Sequence, residues 1–378
     1  MSPPNDAYQK IAEMWTFPES QSFRKMIEAL LTREDAELLL ECTTPVTVPE
    51  LAARLKVDEK TLAEKMEIFA KRGLIFRGKS QYHFRRGNHF GFAGMPAGPE
   101  YAPSEEYRRW RKVWQDENPD REVKLWLDRY AATKYQVHRV YPSRLAILAN
   151  PKIKKEDLLW HEDIEQIFER ADVIAAGPCG CRVGGGMGLR PGQVIDDNVK
   201  SAKCDHPMWN CFQFRKDMAE FNLSRGGQLK IYSIKKALEK SDEAERAGLI
   251  HEGPTNSASM PGVICSCAAD CCGMLIPSLA SGRIHELYTP SRFQPTVSLE
   301  TCNGCQVCVE RCPFDAMKMV KVPNSKKMKA ELIAEECMGC GVCVVGCAQK
   351  ALTFELIRPP EHIPPDSERF IRDHVVLK

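Results

Sequence analysis

CNGCQVCVERC at 302–312 and CMGCGVCVVGC at 337–347 are two copies of one cysteine run. Each has the spacing C-x2-C-x2-C-x3-C, carried by Cys302, Cys305, Cys308 and Cys312 in the first copy and by Cys337, Cys340, Cys343 and Cys347 in the second. Three thiolates on successive tight turns can grip three irons of one cubane while the fourth is aimed elsewhere, so two such runs make a two-cluster site. Gly304, Gly339 and Gly341 let the backbone fold close around a cluster and aim amide N–H groups at its sulfurs. A zinc ribbon needs two separated C-x2-C pairs on a tetrahedral ion, and four cysteines packed into eleven residues, twice over, do not fit that plan.

The spacing resembles that of the bacterial two-cluster ferredoxins over residues 295–356. The resemblance implies one [4Fe-4S] cluster on Cys302, Cys305, Cys308 and Cys347 and a second on Cys312, Cys337, Cys340 and Cys343, the fourth cysteine of each run being exchanged across a pseudo-twofold axis. Pro313 stands where the family has a proline after the fourth cysteine; Ala348 replaces it in the second copy, which leaves the thiolates that bind iron untouched.

Composition narrows the class further. A chain of 378 residues has room for two or three domains. Its 53 Lys+Arg against 51 Asp+Glu leave a formal charge of +2, so no bulk electrostatic pull draws it to nucleic acid or anionic membrane. The opening MSPPNDAYQKIAEMW has no basic segment followed by an apolar one, and no run approaches the roughly 20 apolar residues of a membrane span. The expectation is a cytoplasmic protein, in whose reducing surroundings 17 cysteines do not read as a disulfide framework and their clustering points to metal sites. Sixteen of them lie at or beyond Cys179; Cys42 stands alone and reads as a buried apolar thiol.

In chain order, the expected fold is α+β and multi-domain: a winged helix-turn-helix at 1–86, a linker and helical connector at 87–143, a Cys-rich mixed α/β domain with an Fe-S site at 144–294, the ferredoxin-like domain at 295–356, and a Pro-rich tail at 357–378. Helical periodicity runs through Phe23–Leu31, Thr32 caps a helix reaching Leu40, Val48–Leu55 is a short helix, and a longer one from Lys60 to Arg72 stops at Gly73. Leu74–Arg77 and Gln81–Phe84 make a hairpin wing. The order of elements resembles a winged helix, which can bind DNA or serve as a docking module. Asp58, Glu59, Glu64 and Glu67 offset Lys60, Lys65, Lys71 and Arg72 on the helix that would enter a groove, which disfavours DNA, whereas Arg77, Lys79, Arg85 and Arg86 make the wing basic. Gly87–Pro103 is the best linker candidate, and Ser104–Trp114 reads as a helix with an aromatic stripe of the packing kind. Further on, Leu145–Leu148 reads as a strand, Glu162–Arg170 as a helix, Asp172–Ala176 as a strand, Phe212–Phe221 as a helix, Ser233–Ala247 as a helix stopped by Gly248, and Leu249–His251 and Val263–Ile264 as strands.

The middle domain holds eight more cysteines: Cys179 and Cys181 in GPCGCR, Cys204 and Cys211 in CDHPMWNC, and Cys265, Cys267, Cys271 and Cys272 in ICSCAADCCG. Eight thiols suffice for one or two further Fe-S clusters, and zinc on four of them is the alternative. Pro178 and Gly180 supply the bend that brings a C-x-C pair onto one metal, and Arg182 would offset thiolate charge. His206 is read as part of a helix-entry turn, and His251 as a residue near the ligands rather than a ligand. The order of these motifs resembles a group of multi-domain iron-sulfur proteins of anaerobic bacteria and archaea in which a winged helix also precedes a Cys-rich domain. The chain departs from that group at Ser266 and Ala268–Asp270, where members carry additional cysteines, and Cys271-Cys272-Gly273 only partly matches the CCG motif of heterodisulfide reductases.

No C-x3-C-x2-C radical motif and no C-x-x-C-H haem motif occurs, and GGGMG at 184–188 follows a cysteine pair instead of joining a strand to a helix. The expected function is therefore electron transfer through a dicluster relay to a further cluster or a redox partner protein. The alternatives are a redox-sensing winged-helix regulator and an Fe-S reductase acting on a small molecule at the middle domain.

Overall fold

Side-chain caps open nearly every helix of the N-terminal region. Asp6, Ser20, Thr32 and Asp58 each accept a hydrogen bond from the backbone N–H three residues on, and Thr47 with Glu50 forms a complete capping box. The helices so started are Ala7–Met14, Gln21–Glu28, Arg33–Leu40, Val48–Leu55 and Glu59–Lys71. Lys56 and Gly73, both at positive φ, end the last two. Strand β1 (Phe76–Arg77) then pairs antiparallel with β2 (Tyr82–His83). Helix Glu105–Glu117 packs Trp114 against Phe17 and Phe23, and Glu117 accepts a hydrogen bond from the Ser22 hydroxyl. The segment read as a connector thus contributes to the N-terminal core.

This computed structural model describes residues 6–78, 80–84, 98–119, 121–184, 195–196, 204–323 and 325–365. The chain divides into two compact units, one of residues 1–121, 180–195 and 220–229, the other of residues 122–179, 196–219 and 230–378. Most of the expected linker Gly87–Pro103, the wing residues Lys79, Arg85 and Arg86, Gly185–Gly188 of the GGGMG run and the end of the tail lie outside the described residues.

The second unit is built on a seven-stranded sheet. Its strands are β3 (His138–Tyr141), β4 (Ala175–Pro178), β5 (Trp209–Gln213), β6 (Lys230–Ile231), β7 (Ile250–Gly253), β8 (Val263–Cys267) and β9 (Tyr288–Thr289), in the order β6-β4-β5-β8-β7-β3-β9. Every ladder is antiparallel except β3 with β9. The sheet therefore begins at His138, inside the segment read as connector, and Trp209–Gln213 is a fully buried strand where a helix from Phe212 was expected. Helix formation resumes only at Lys216–Ser224. Beyond the sheet, β10 (Phe293–Val297) pairs with β13 (Leu352–Leu356), and β11 (Met317–Val320) with β12 (Lys329–Leu332), both antiparallel.

Leu145–Leu148, expected as a strand, is part of helix Arg144–Leu148. The reason is a buried carboxylate. Glu245, on helix Ile234–Arg246, accepts from the backbone N–H groups of Arg144 and Leu145 at 2.9 Å each and from the Ser143 hydroxyl at 2.5 Å. It thereby satisfies donors that only a helix N-terminus presents. Burial disfavours its charge, but hydrogen bonds from His251, Ser143 and Leu145 outweigh burial and hold the carboxyl below its ordinary range.

A second buried network centres on Arg139 and Arg292. Arg292 donates to Glu162 at 2.7 Å, and Arg139 donates to the carbonyl of His161 and lies 3.4 Å from its Nδ1. Burial, then the charges of Arg139 and Arg292, push the His161 imidazole down to about 4. It is neutral in the fold and takes a proton in the unfolded chain below its ordinary pKa of 6.5. Its contribution to stability is intact above that value and is lost as pH falls toward 4. Between pH 7 and 5, wild type should lose about 2 kcal/mol more than His161→Gln, read from denaturant unfolding of anaerobic protein; equal losses would clear His161 of the role.

Candidate metal centres

The two cysteine runs fold alike. Gly304 and Gly339 have φ of 78° and 67°, Gln306 and Gly341 of 67° and 82°, and Asp315 and Lys350 of 53° and 50°. One-turn helices Val307–Glu310 and Val342–Val345 carry the third cysteine of each run. Cys312 Sγ accepts from the Ala316 N–H and Cys347 Sγ from the Ala351 N–H, both at 3.3 Å. This matched backbone turns three thiols of each run inward on one side and sends the fourth away.

Two cavities receive them. Cys302, Cys305, Cys308 and Cys347 line one, with Val297, Met319, Ala330 and Leu352 among its walls. Cys312, Cys337, Cys340 and Cys343 line the other, walled by Pro295, Phe314, Leu332 and Met338. Among the described residues no charged side chain lines either cavity. Burial raises the thiols of Cys308, Cys312, Cys337, Cys340 and Cys343, the last two most strongly. Cys305 by contrast is exposed. Four soft donors in an apolar cavity, with backbone amides hydrogen-bonded to sulfur, fit a thiolate-held iron-sulfur cluster.

Arg311 fastens this module to the end of helix Ile234–Arg246. It donates from Nε to the Val342 carbonyl at 2.9 Å, and from its terminal nitrogens to the carbonyls of Glu245 and Arg246 at 2.8 and 3.1 Å. The Ser143 N–H donates to the Cys340 carbonyl at 3.0 Å, and Asn150 to that of Phe354 at 2.7 Å.

The middle cysteines are distributed less evenly. Cys179 follows β4, and its N–H donates to the Met208 carbonyl at 2.8 Å. Cys181 and Arg182 lie on helix Gly180–Gly184, in the segment assigned to the first unit. Cys204, His206 and Asp270 have donor atoms within 4.8 Å of one another, so His206, read as a structural turn residue, stands beside a thiol and a carboxylate. Cys211 Sγ on β5 and Cys265 Sγ on β8 are 3.6 Å apart. Cys267, on the same strand as Cys265, places Sγ 3.1 Å from Glu252 Oε1, and Cys272 completes a buried group with these two. Hydrogen bonds with Cys265 and Cys272, and then burial, push the Cys267 thiol well above its ordinary value. Cys271 is half-buried against Ala244, Leu249 and Ala268. His251 contacts Ser266, the residue between Cys265 and Cys267, at 3.1 Å.

Sequence reading missed Glu252 and its partner His138, whose Nδ1 lies 3.3 Å from Glu252 Oε2. They are 114 residues apart and meet only because β3 and β7 pair, so no local pattern could have found them.

Three cations of the N-terminal unit have partners inside it. Lys65 pairs with Asp35 at 2.7 Å, Arg77 with Glu67 at 3.1 Å, and Arg72 donates to the Leu30 carbonyl at 2.7 Å. Burial lowers the pKa of Arg72.

A family model described as a 4Fe-4S dicluster domain matches residues 301–352, which span all eight cysteines of the two runs. No curated protein and no solved structure matches the chain significantly. The chain thus carries a ferredoxin-like iron-sulfur module near its C-terminal end, within a multi-domain α+β fold. Among the described residues no helix is long and apolar enough to cross a membrane.

Gly339 offers a direct check on the geometry. It sits at φ 67°, and a Cβ there would overlap the Phe293 carbonyl oxygen and the Ser291 hydroxyl. Gly339→Ala should destabilise the protein by about 1–3 kcal/mol and reduce iron retained after anaerobic reconstitution; unchanged melting and iron content would contradict the close approach.

Proposed function

We propose that this protein is an iron-sulfur electron relay. Cys302, Cys305, Cys308 and Cys347 hold one [4Fe-4S] cluster and Cys312, Cys337, Cys340 and Cys343 a second. Bound there, such clusters supply one-electron carriers at low potential. The supporting observation is that each cavity gathers four thiols and no charged side chain.

The chain's own residues give the relay two unlike ends. Cys305 reaches the surface, where a redox partner protein can approach it. Cys337 and Cys340 belong to one apolar cluster with Cys267, Cys272, Leu275 and Tyr288, so the second cavity is contiguous with the thiols of the middle sheet. An electron entering beside Cys305 needs no proton and no bond change to pass inward, and dry walls of Phe314, Met338 and Leu332 keep water away from it. A role as a DNA-contacting regulator has less support, because Lys65, Arg72 and Arg77 are committed to partners within their own unit. The N-terminal unit is better suited to docking a protein.

Anaerobic reconstitution of the full chain should bring about eight irons and eight sulfides into the two runs, with an EPR spectrum of two interacting reduced clusters. Cys340→Ser should remove roughly half of that iron and leave the signal of a single cluster. Zinc in place of iron, or iron unaffected by Cys340→Ser, would overturn the reading.

A further inference from the structure

Cys267, Cys272 and Glu252 gather at the centre of the sheet. Their donor atoms lie within 4.8 Å of one another. Ligands of one tetrahedral ion with metal–sulfur bonds of about 2.3 Å sit roughly 3.8 Å apart. Ligands of a cubane bind different irons and stand further apart than that. The spacing therefore suits a single ion.

The charge arrangement points the same way. Glu252, Cys267 and Cys272 are 4%, 5% and 4% exposed. A buried carboxylate needs a cation or a metal. Among the described residues the ion pairs of Glu252 include no lysine or arginine; it meets His138 through one oxygen and the Cys267 thiol through the other. Ligating carboxylates are in turn held by hydrogen bonds from neighbouring groups, the position His138 takes at the second oxygen of Glu252. Two further buried polar atoms, His138 Nε2 and the Tyr288 hydroxyl, have no hydrogen-bond partner among the described residues. His138 and Tyr288 are opposite one another on β3 and β9, their rings 4.9 Å apart. Tyr288 feels the charges of Glu252, Cys272 and Cys267. Both residues adjoin this group, His138 through the nitrogen that meets Glu252 and Tyr288 through its ring against His138.

We infer that Cys267, Cys272 and Glu252 bind one divalent ion of the zinc class, with His138 orienting the carboxylate. Two thiolates and one carboxylate are soft and borderline donors suited to zinc, and three protein ligands leave a fourth position on the ion. This site takes no ligand from the eight cysteines of the two runs, although its Cys267 and Cys272 share an apolar cluster with Cys337 and Cys340. It differs from a third Fe-S cluster in using an oxygen ligand and no sulfide.

Zinc K-edge absorption on the full chain, isolated anaerobically from zinc-supplemented cells, reads the site without interference from iron. The expected result is about one zinc per chain, with two sulfurs near 2.3 Å and oxygen or nitrogen near 2.0–2.2 Å. Glu252→Gln, which keeps the shape of the side chain, should weaken zinc at least tenfold in a chelator competition, and Cys272→Ser should abolish the two-sulfur shell. Cys271→Ser should leave zinc in place. In all three variants the EPR signals and iron of the dicluster module should persist, so failure of the zinc site and failure of the relay are told apart. A zinc shell of four sulfurs, no zinc in any preparation, or iron and sulfide beyond the dicluster content that disappear with Cys272→Ser would each overturn the proposal.

Discussion

The last turn of helix Ile234–Arg246 is the joint on which the second unit depends. The Glu245 carboxylate receives Ser143, the N–H groups of Arg144 and Leu145, and His251, while the carbonyls of Glu245 and Arg246 receive the Arg311 guanidinium. One helix end therefore starts another helix, steadies the strand that carries His251, and holds the loop between Cys308 and Cys312. Each of these groups would be costly to bury alone. Together they are mutually satisfied, which explains how a wholly buried carboxylate keeps its charge.

That joint also sets where the thiols lie. Ser143, the residue that donates to Glu245, donates its own N–H to the Cys340 carbonyl. His251, which reaches Glu245 through one ring nitrogen, reaches Ser266 through the other, and Ser266 separates Cys265 from Cys267. A polar chain of buried groups thus runs from the backbone of the second cysteine run to the strand bearing the middle thiols. Arg292, bound to Glu162, makes a parallel attachment just before β10.

Much of the local structure was legible because it is written locally. Thr32, Thr47, Asp58, Ser104 and Ser233 each cap the helix that follows, and Gly73 and Gly248 adopt the positive φ that stops one. The grouping of thiols into two cavities follows the spacing of the runs together with the ferredoxin resemblance. What escaped was set by partners distant in sequence. Leu145–Leu148 is a short apolar run that suits a strand or a buried helix, and Glu245, a hundred residues away, decides it. Trp209–Gln213 is buried on both faces although it carries Asn210 and Gln213, and so lacks the hydrophobic-polar alternation with one exposed face that would have marked it. Glu252 and His138 carry no motif and become neighbours only through the β3–β7 pairing.

The two cysteine runs match in backbone but not in surroundings. Cys305 faces solvent, whereas Cys340, its counterpart in the repeat, is buried against the sheet. Solvent exposure is among the factors that fix a cluster's potential. Clusters held by the two runs would share one ligand pattern but sit in unlike dielectrics, so what each run is packed against, and not its ligands, is where the two copies part.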